Sequence, residues 1–126
     1  MGGKLWYTDC QIGKGRLAVN WYVYVLCCAD GSYHCGYSAD WRRRVEEHAA
    51  KGSRSARYTR AHPPRALSAL WSCGEKGDAM RLEYRFKQLR REDKERLVED
   101  EGLFAGLFPT LEREKYRRER ERWEAK

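Results

Sequence analysis

Between Trp21 and His48 the chain reads WYVYVLCCADGSYHCGYSADWRRRVEEH, and this stretch restricts the fold more than any other. WYVYVLCC is aromatic and β-branched, the composition of a half-buried pleated strand. Asp30-Gly31 breaks the run with turn chemistry, and Tyr33 to Ser38 reads as the returning strand of a hairpin. Asp40 or Ser38 can cap a following helix in which Trp41, Val45 and Ala49 recur at i, i+4 and i+8. Tyrosines and a histidine therefore arrive at the mouth of a helix carrying Arg42, Arg43, Arg44 and His48. A phosphodiester site needs such a gathering of ionisable groups and guanidinium charge.

Register decides which side chains meet, because a slip of one residue sends them to opposite faces. A two-residue Asp-Gly loop separates Tyr24 from His34. A three-residue loop, Ala29-Asp30-Gly31, puts Gly31 in the left-handed position of a bulged turn. Tyr24 then lies opposite Gly36, Leu26 opposite His34, and Tyr24 and His34 share a face. The second register is favoured, since Gly36 would leave room beside the Tyr24 ring for a phosphate.

A chain of 126 residues allows one domain with a modest core. The formal net charge is +7, and it is uneven. Residues 40–65 hold eight Arg or Lys against three Asp or Glu, which gives +5 from that stretch alone. Such a patch suits a polyanion such as nucleic acid, through phosphate neutralisation and counterion release. A solvated basic face is the plain alternative. Five cysteines without metal-ligand spacing argue against zinc, and their odd number without a signal peptide points to a reducing, cytoplasmic setting. No apolar run is long enough to span a bilayer.

Residues 1–20 have no sustained period and read equally as an extra strand, an arm or a leader. Residues 51–64, KGSRSARYTRAHPP, are a loop by their Gly, Ser and Pro content. There Lys51, Arg54, Arg57 and Arg60, with the ring of Tyr58, suit a loop that grips a nucleic-acid backbone together with Arg42 and Arg43. RALSALWSC (65–73) reads as a third strand, and a helix is expected from about Asp78 to Arg91. Ala79, Leu82, Phe86 and Leu89 form its main apolar face, Met80 and Tyr84 a second patch, and Glu83 lies between them. That carboxylate can hold a divalent metal or pair with Lys87 at i+4, and from the residues alone the ion pair is favoured. A short helix over 91–102 stopped by Gly102, an apolar docking segment over 103–108 and a charged helix over 109–126 complete the expectation.

The ordered set of motifs resembles the GIY-YIG nuclease superfamily, and specifically its small stand-alone members. Tyr22-Val23-Tyr24 stands at the first motif and His34-Cys35-Gly36 at the second. DWRRRVEEH resembles the first helix, with Arg44 at the arginine position, and RLEYRFKQL resembles the helix bearing the metal-binding glutamate, here Glu83. The resemblance implies an α+β fold, a three-stranded antiparallel sheet flanked by helices in the order β-β-α-β-α over residues 21–108. It also implies hydrolysis of phosphodiester bonds, in DNA above all and in branched or damaged DNA as in repair, with Mg²⁺ or Mn²⁺. In that picture Tyr24 activates or positions the attacking water, the second-motif aromatic assists, Arg44 stabilises charge on the phosphate and Glu83 holds one metal ion. His48, one turn after Arg44, could relay a proton or contact phosphate, or be a surface imidazole.

This chain departs from the pattern where His34 replaces the second-motif tyrosine. Histidine can exchange protons near neutral pH and act as general base, or the change can mark a degenerate site that only binds nucleic acid. A protein-interaction module built on the C-terminal segment is a third, weaker reading.

Overall fold

A computed structural model describes residues 20–50 and 63–125. Lys51, Arg54, Arg57, Tyr58 and Arg60 therefore lie outside the described residues, as does the segment 1–19. Strands β1 (Trp21–Cys28) and β2 (Tyr33–Ser38) lead into helix α1 (Trp41–Ala50). Strand β3 (Pro64–Cys73) and helices α2 (Lys76–Lys87) and α3 (Arg91–Glu99) follow. A four-residue helix α4 (Phe104–Leu107) and a two-residue strand β4 (Arg117–Arg118) come last.

The hairpin closes in the bulged register. Tyr24 is paired with Gly36 and Leu26 with His34. The Cys28 N–H donates to the Ser32 carbonyl at 2.8 Å, enclosing Ala29, Asp30 and Gly31. Gly31 takes a φ of +87°, where a side chain would be strained. Asp40 caps α1 with a carboxylate oxygen that accepts from the Arg43 N–H at 3.4 Å, while Ser38 Oγ accepts from the Asp40 N–H at 3.0 Å.

The antiparallel sheet has the order β2-β1-β3-β4, so β1 is central and β2 an edge. Strict alternation along β1 feeds two cores. Tyr24 and Leu26 pack with Leu70 beneath Trp41 and Val45 of α1. On the other face Val23 and Val25 pack with Trp71 against Ala79, Leu82 and Phe86 of α2, Leu97 of α3, and Phe104 and Phe108. The docking expected of residues 103–108 is thereby met. Helix α3 ends at Glu99 rather than at Gly102, because Asp100 turns to φ −133° and its carboxylate takes the Gly102 N–H at 3.0 Å.

Two expectations are corrected. The sheet has four strands, not three, and residues 109–126 do not form a charged helix. Leu111, Tyr116 and Trp123 are too few for a buried helical stripe, and a helix without one gains little in water. The open edge of β3 offers unpaired backbone groups instead. Arg117 and Arg118 pair with Ser72 and Trp71, Glu119 N–H donates to the Leu70 carbonyl at 2.8 Å, and Leu67 N–H donates to the Trp123 carbonyl at 2.8 Å. Buried Tyr116 donates its hydroxyl to the Asp78 carbonyl at 2.7 Å, and the Arg118 guanidinium lies 5.1 Å over the Trp71 ring. No helix among the described residues is long and apolar enough to cross a membrane.

Candidate active site

Among the described residues no strand pairs with the outer edge of β2, and a cavity of about 600 Å³ there is lined by residues of β2, α1 and α2. Tyr24, His34, Arg44, His48 and Glu83 all line it. Sequence positions spread over sixty residues therefore converge on one cleft. Tyr24 and His34 come from the hairpin face under α1, and their rings stand 6.4 Å apart. The His48 ring meets His34 edge-on at 5.5 Å. Glu83 comes from α2, on the other face of the sheet, and reaches the cavity around the β2 edge. Its carboxylate sits 3.4 Å from Lys87 Nζ with a fifth of its side chain exposed, so the ion pair and the cleft position coexist.

Gly36 has a different job from the one its position suggested. A Cβ built there would stand 2.4 Å from Tyr24 Oη and 2.6 Å from Cζ. The space above Gly36 is filled by the tyrosine ring itself. Gly36→Ala is therefore expected to expel the ring from a site where it is 2% exposed. Overpacking of this kind costs about 1–3 kcal/mol, which a thermal melt registers as a drop of roughly 4 °C per kcal/mol for a chain of this length. An unchanged melting temperature would show that the ring has another place to go.

Burial pushes the Tyr24 phenol above its ordinary value, while a hydrogen bond and the positive charge of Arg44 pull the other way. It is a protonated donor at neutral pH. Burial pushes His34 down to about 4, helped by the neighbouring His48, Lys87 and Arg44. His48 is lowered too, by burial and Arg44, with Glu47 opposing. Both imidazoles are thus neutral at pH 7. An anion entering the cleft would offset the crowding of positive charge and raise both.

This has a consequence for stability. Between about pH 4 and the ordinary imidazole value of 6.5, the unfolded chain takes a proton at His34 that the folded chain refuses. Stability is full above pH 6.5 and is lost as pH falls through this window. Melting curves from pH 7 to 4 should show a smaller acid loss for His34→Phe than for the wild type. Equal losses would contradict the buried neutral imidazole.

The basic residues separate. Arg43 lines the cavity, held by Glu47 at 3.0 Å and Asp40 at 3.5 Å. Arg42 points elsewhere, pairing with Glu121 at 3.1 Å and donating to the Arg122 carbonyl at 3.3 Å, so it ties α1 to the C-terminal segment. Sequence reasoning treated Lys87 only as an ion-pair partner and passed over Trp21, Tyr37 and Lys76, all of which line the cleft.

Among the described residues no group of three His, Cys, Asp or Glu could hold a metal alone. One carboxylate nevertheless fits Mg²⁺, which keeps several waters and is commonly bound through one or two carboxylates plus substrate phosphate oxygens. Glu83 is the residue that would hold it.

The family model of the GIY-YIG catalytic domain matches residues 20–96. The chain belongs to the GIY-YIG family. This is a family of nucleases acting on nucleic acid, generally with divalent metal ions. The chain is 45% identical over 84 residues to the UPF0213 protein BH0048 of Halalkalibacterium halodurans, a match covering 67% of this chain and 87% of that protein. It is 49% identical over 76 residues to the UPF0213 protein VNG_2274C of Halobacterium salinarum, covering 60% and 96%. The solution NMR structure of the UPF0213 protein BH0048 from Bacillus halodurans is 47% identical and aligns with a TM-score of 0.41 over 64% of this chain and 83% of that one.

Proposed function

We propose that this GIY-YIG protein is a metal-dependent endonuclease that hydrolyses phosphodiester bonds in DNA, branched or damaged DNA of the kind met in repair, in the cytoplasm. The observation that supports this most is the convergence of Tyr24, His34, Arg44 and Glu83 on one cleft.

Phosphodiester hydrolysis needs an in-line water, a base for its proton, and positive charge on the non-bridging oxygens. Neutral His34 accepts the water proton as the oxygen attacks phosphorus. The protonated Tyr24 hydroxyl orients that water. Arg44 presents a planar fork of donors to the oxygens on which charge develops. The phosphorus–oxygen bond opposite the water breaks, the leaving alkoxide departs with the bonding electrons and takes a proton from solvent water, and His34 returns its proton to solvent. His48, edge-on to His34, shares the imidazolium charge or touches the phosphate. Glu83 would hold the divalent ion, which would supply Lewis-acid charge for the reaction. Arg43, with Lys51, Arg54, Arg57, Tyr58 and Arg60, grips the flanking backbone. The ion pairs of Arg42 leave it a smaller share in binding.

His34 in place of tyrosine is the one observation favouring a second reading, a binding module without catalysis. Purified protein incubated with linear, flapped and branched DNA and with single-stranded RNA, in Mg²⁺, Mn²⁺ or chelator, separates the two. Metal-dependent cutting of a DNA substrate is the expected result. Salt-sensitive binding with no cutting of any substrate would leave only the binding module.

A further inference from the structure

We infer that Trp21, Tyr37 and Lys76 form a subsite for the base of an unpaired nucleotide next to the scissile phosphate. This rests on the nuclease reading and narrows its substrate to DNA with a single-stranded segment at the cut. The cleft, about 600 Å³, is larger than one phosphate needs, and part of its lining is aromatic. There the Trp21 and Tyr37 rings stand 6.3 Å apart, tilted by 51°, and Lys76 Nζ lies 5.7 Å over the Trp21 ring. Both rings are half-buried against the α2-side core, and both line the same cavity as Tyr24 and Arg44.

Aromatic side chains and a cation beside a phosphate site are what single-stranded nucleic acid uses. Each base offers a π-face to stack, and the cation takes backbone charge. A base paired within a duplex has both faces occupied by its neighbours, so only an unpaired or extruded nucleotide can enter. Tyr37 lies on the strand that also carries His34 and Gly36, three residues on from the imidazole. A nucleotide stacked there shares one cleft with the Tyr24–Arg44 pair. Lys76 opens α2, the helix that also carries Glu83.

The test uses the full chain carrying Glu83→Gln, with chelator in place of metal, so that cutting is suppressed while affinity is read. Two labelled flapped DNA duplexes are compared, identical except that the first unpaired nucleotide carries thymine in one and is abasic in the other. Base–aromatic stacking predicts roughly 5- to 150-fold tighter binding of the thymine form. Adding Trp21→Leu should erase the difference and Trp21→Phe should keep it, each variant being checked by its thermal melt. Equal affinity of the Glu83→Gln protein for both duplexes overturns the subsite, and so does a preference that survives Trp21→Leu in a folded protein. If the wild type cuts DNA but the preference is missing, only the subsite fails. If it cuts nothing yet the preference is present and depends on Trp21, the nuclease reading fails and the subsite stands.

Discussion

Arg44→Ala is expected to slow DNA cleavage by about 10²–10³, the loss typical of removing one preorganised donor to developing charge. Arg44 is an exposed residue of α1 whose neighbours Trp41 and Val45 carry the packing. Its removal should therefore leave stability within roughly 0.5 kcal/mol, as for other surface changes. The loss should appear in the single-turnover rate far more than in affinity, since one phosphate contact among many contributes little to binding. Arg44→Lys restores the charge without the fork and should recover only part of the rate. Arg44 also hydrogen-bonds and lowers the Tyr24 phenol. Without it the tyrosine is held less well, which adds to the cost. A loss of less than tenfold would mean that another cation of the cleft, such as Arg43 or Lys87, takes over the phosphate.

The hairpin was legible because its signals are local. Asp30-Gly31 dictates a positive φ, the loop length dictates the register, and the register puts Tyr24 and His34 on one face. Helix α1 was legible for the same reason, through its cap and its Trp41–Val45 period. Gly36 was read as room for a ligand and proved to be room for a ring. Register says which residue lies opposite, but not which way a tyrosine leans.

The C-terminal segment failed for a different reason. Alternating charge describes a solvated surface equally well on a helix or a strand. What decides is the open edge of β3, some 45 residues earlier in the chain, which no local pattern announces. The same limit hid Trp21 and Tyr37. Alternation puts them on the face opposite Tyr24, which reads as a separate environment. Because β2 is an edge strand, both faces open onto one cleft, and that follows only from the strand order.

Glu83 carries the account, because it is the carboxylate that α2 brings to the cleft shared with Tyr24, His34 and Arg44. Glu83→Gln keeps the size and packing of a side chain that is one-fifth exposed, and removes the charge that would hold a divalent ion and that now pairs with Lys87. An exposed or half-exposed pair of this kind contributes little to stability, so the fold should persist. The measurement is the single-turnover cleavage rate of flapped DNA at saturating Mg²⁺ or Mn²⁺, wild type against Glu83→Gln, with affinity followed in parallel. The expected result is cleavage slower by roughly 10²–10³, with affinity unchanged or higher once a negative charge has left the cleft. Cleavage by Glu83→Gln at the wild-type rate, with the same dependence on metal, would contradict it.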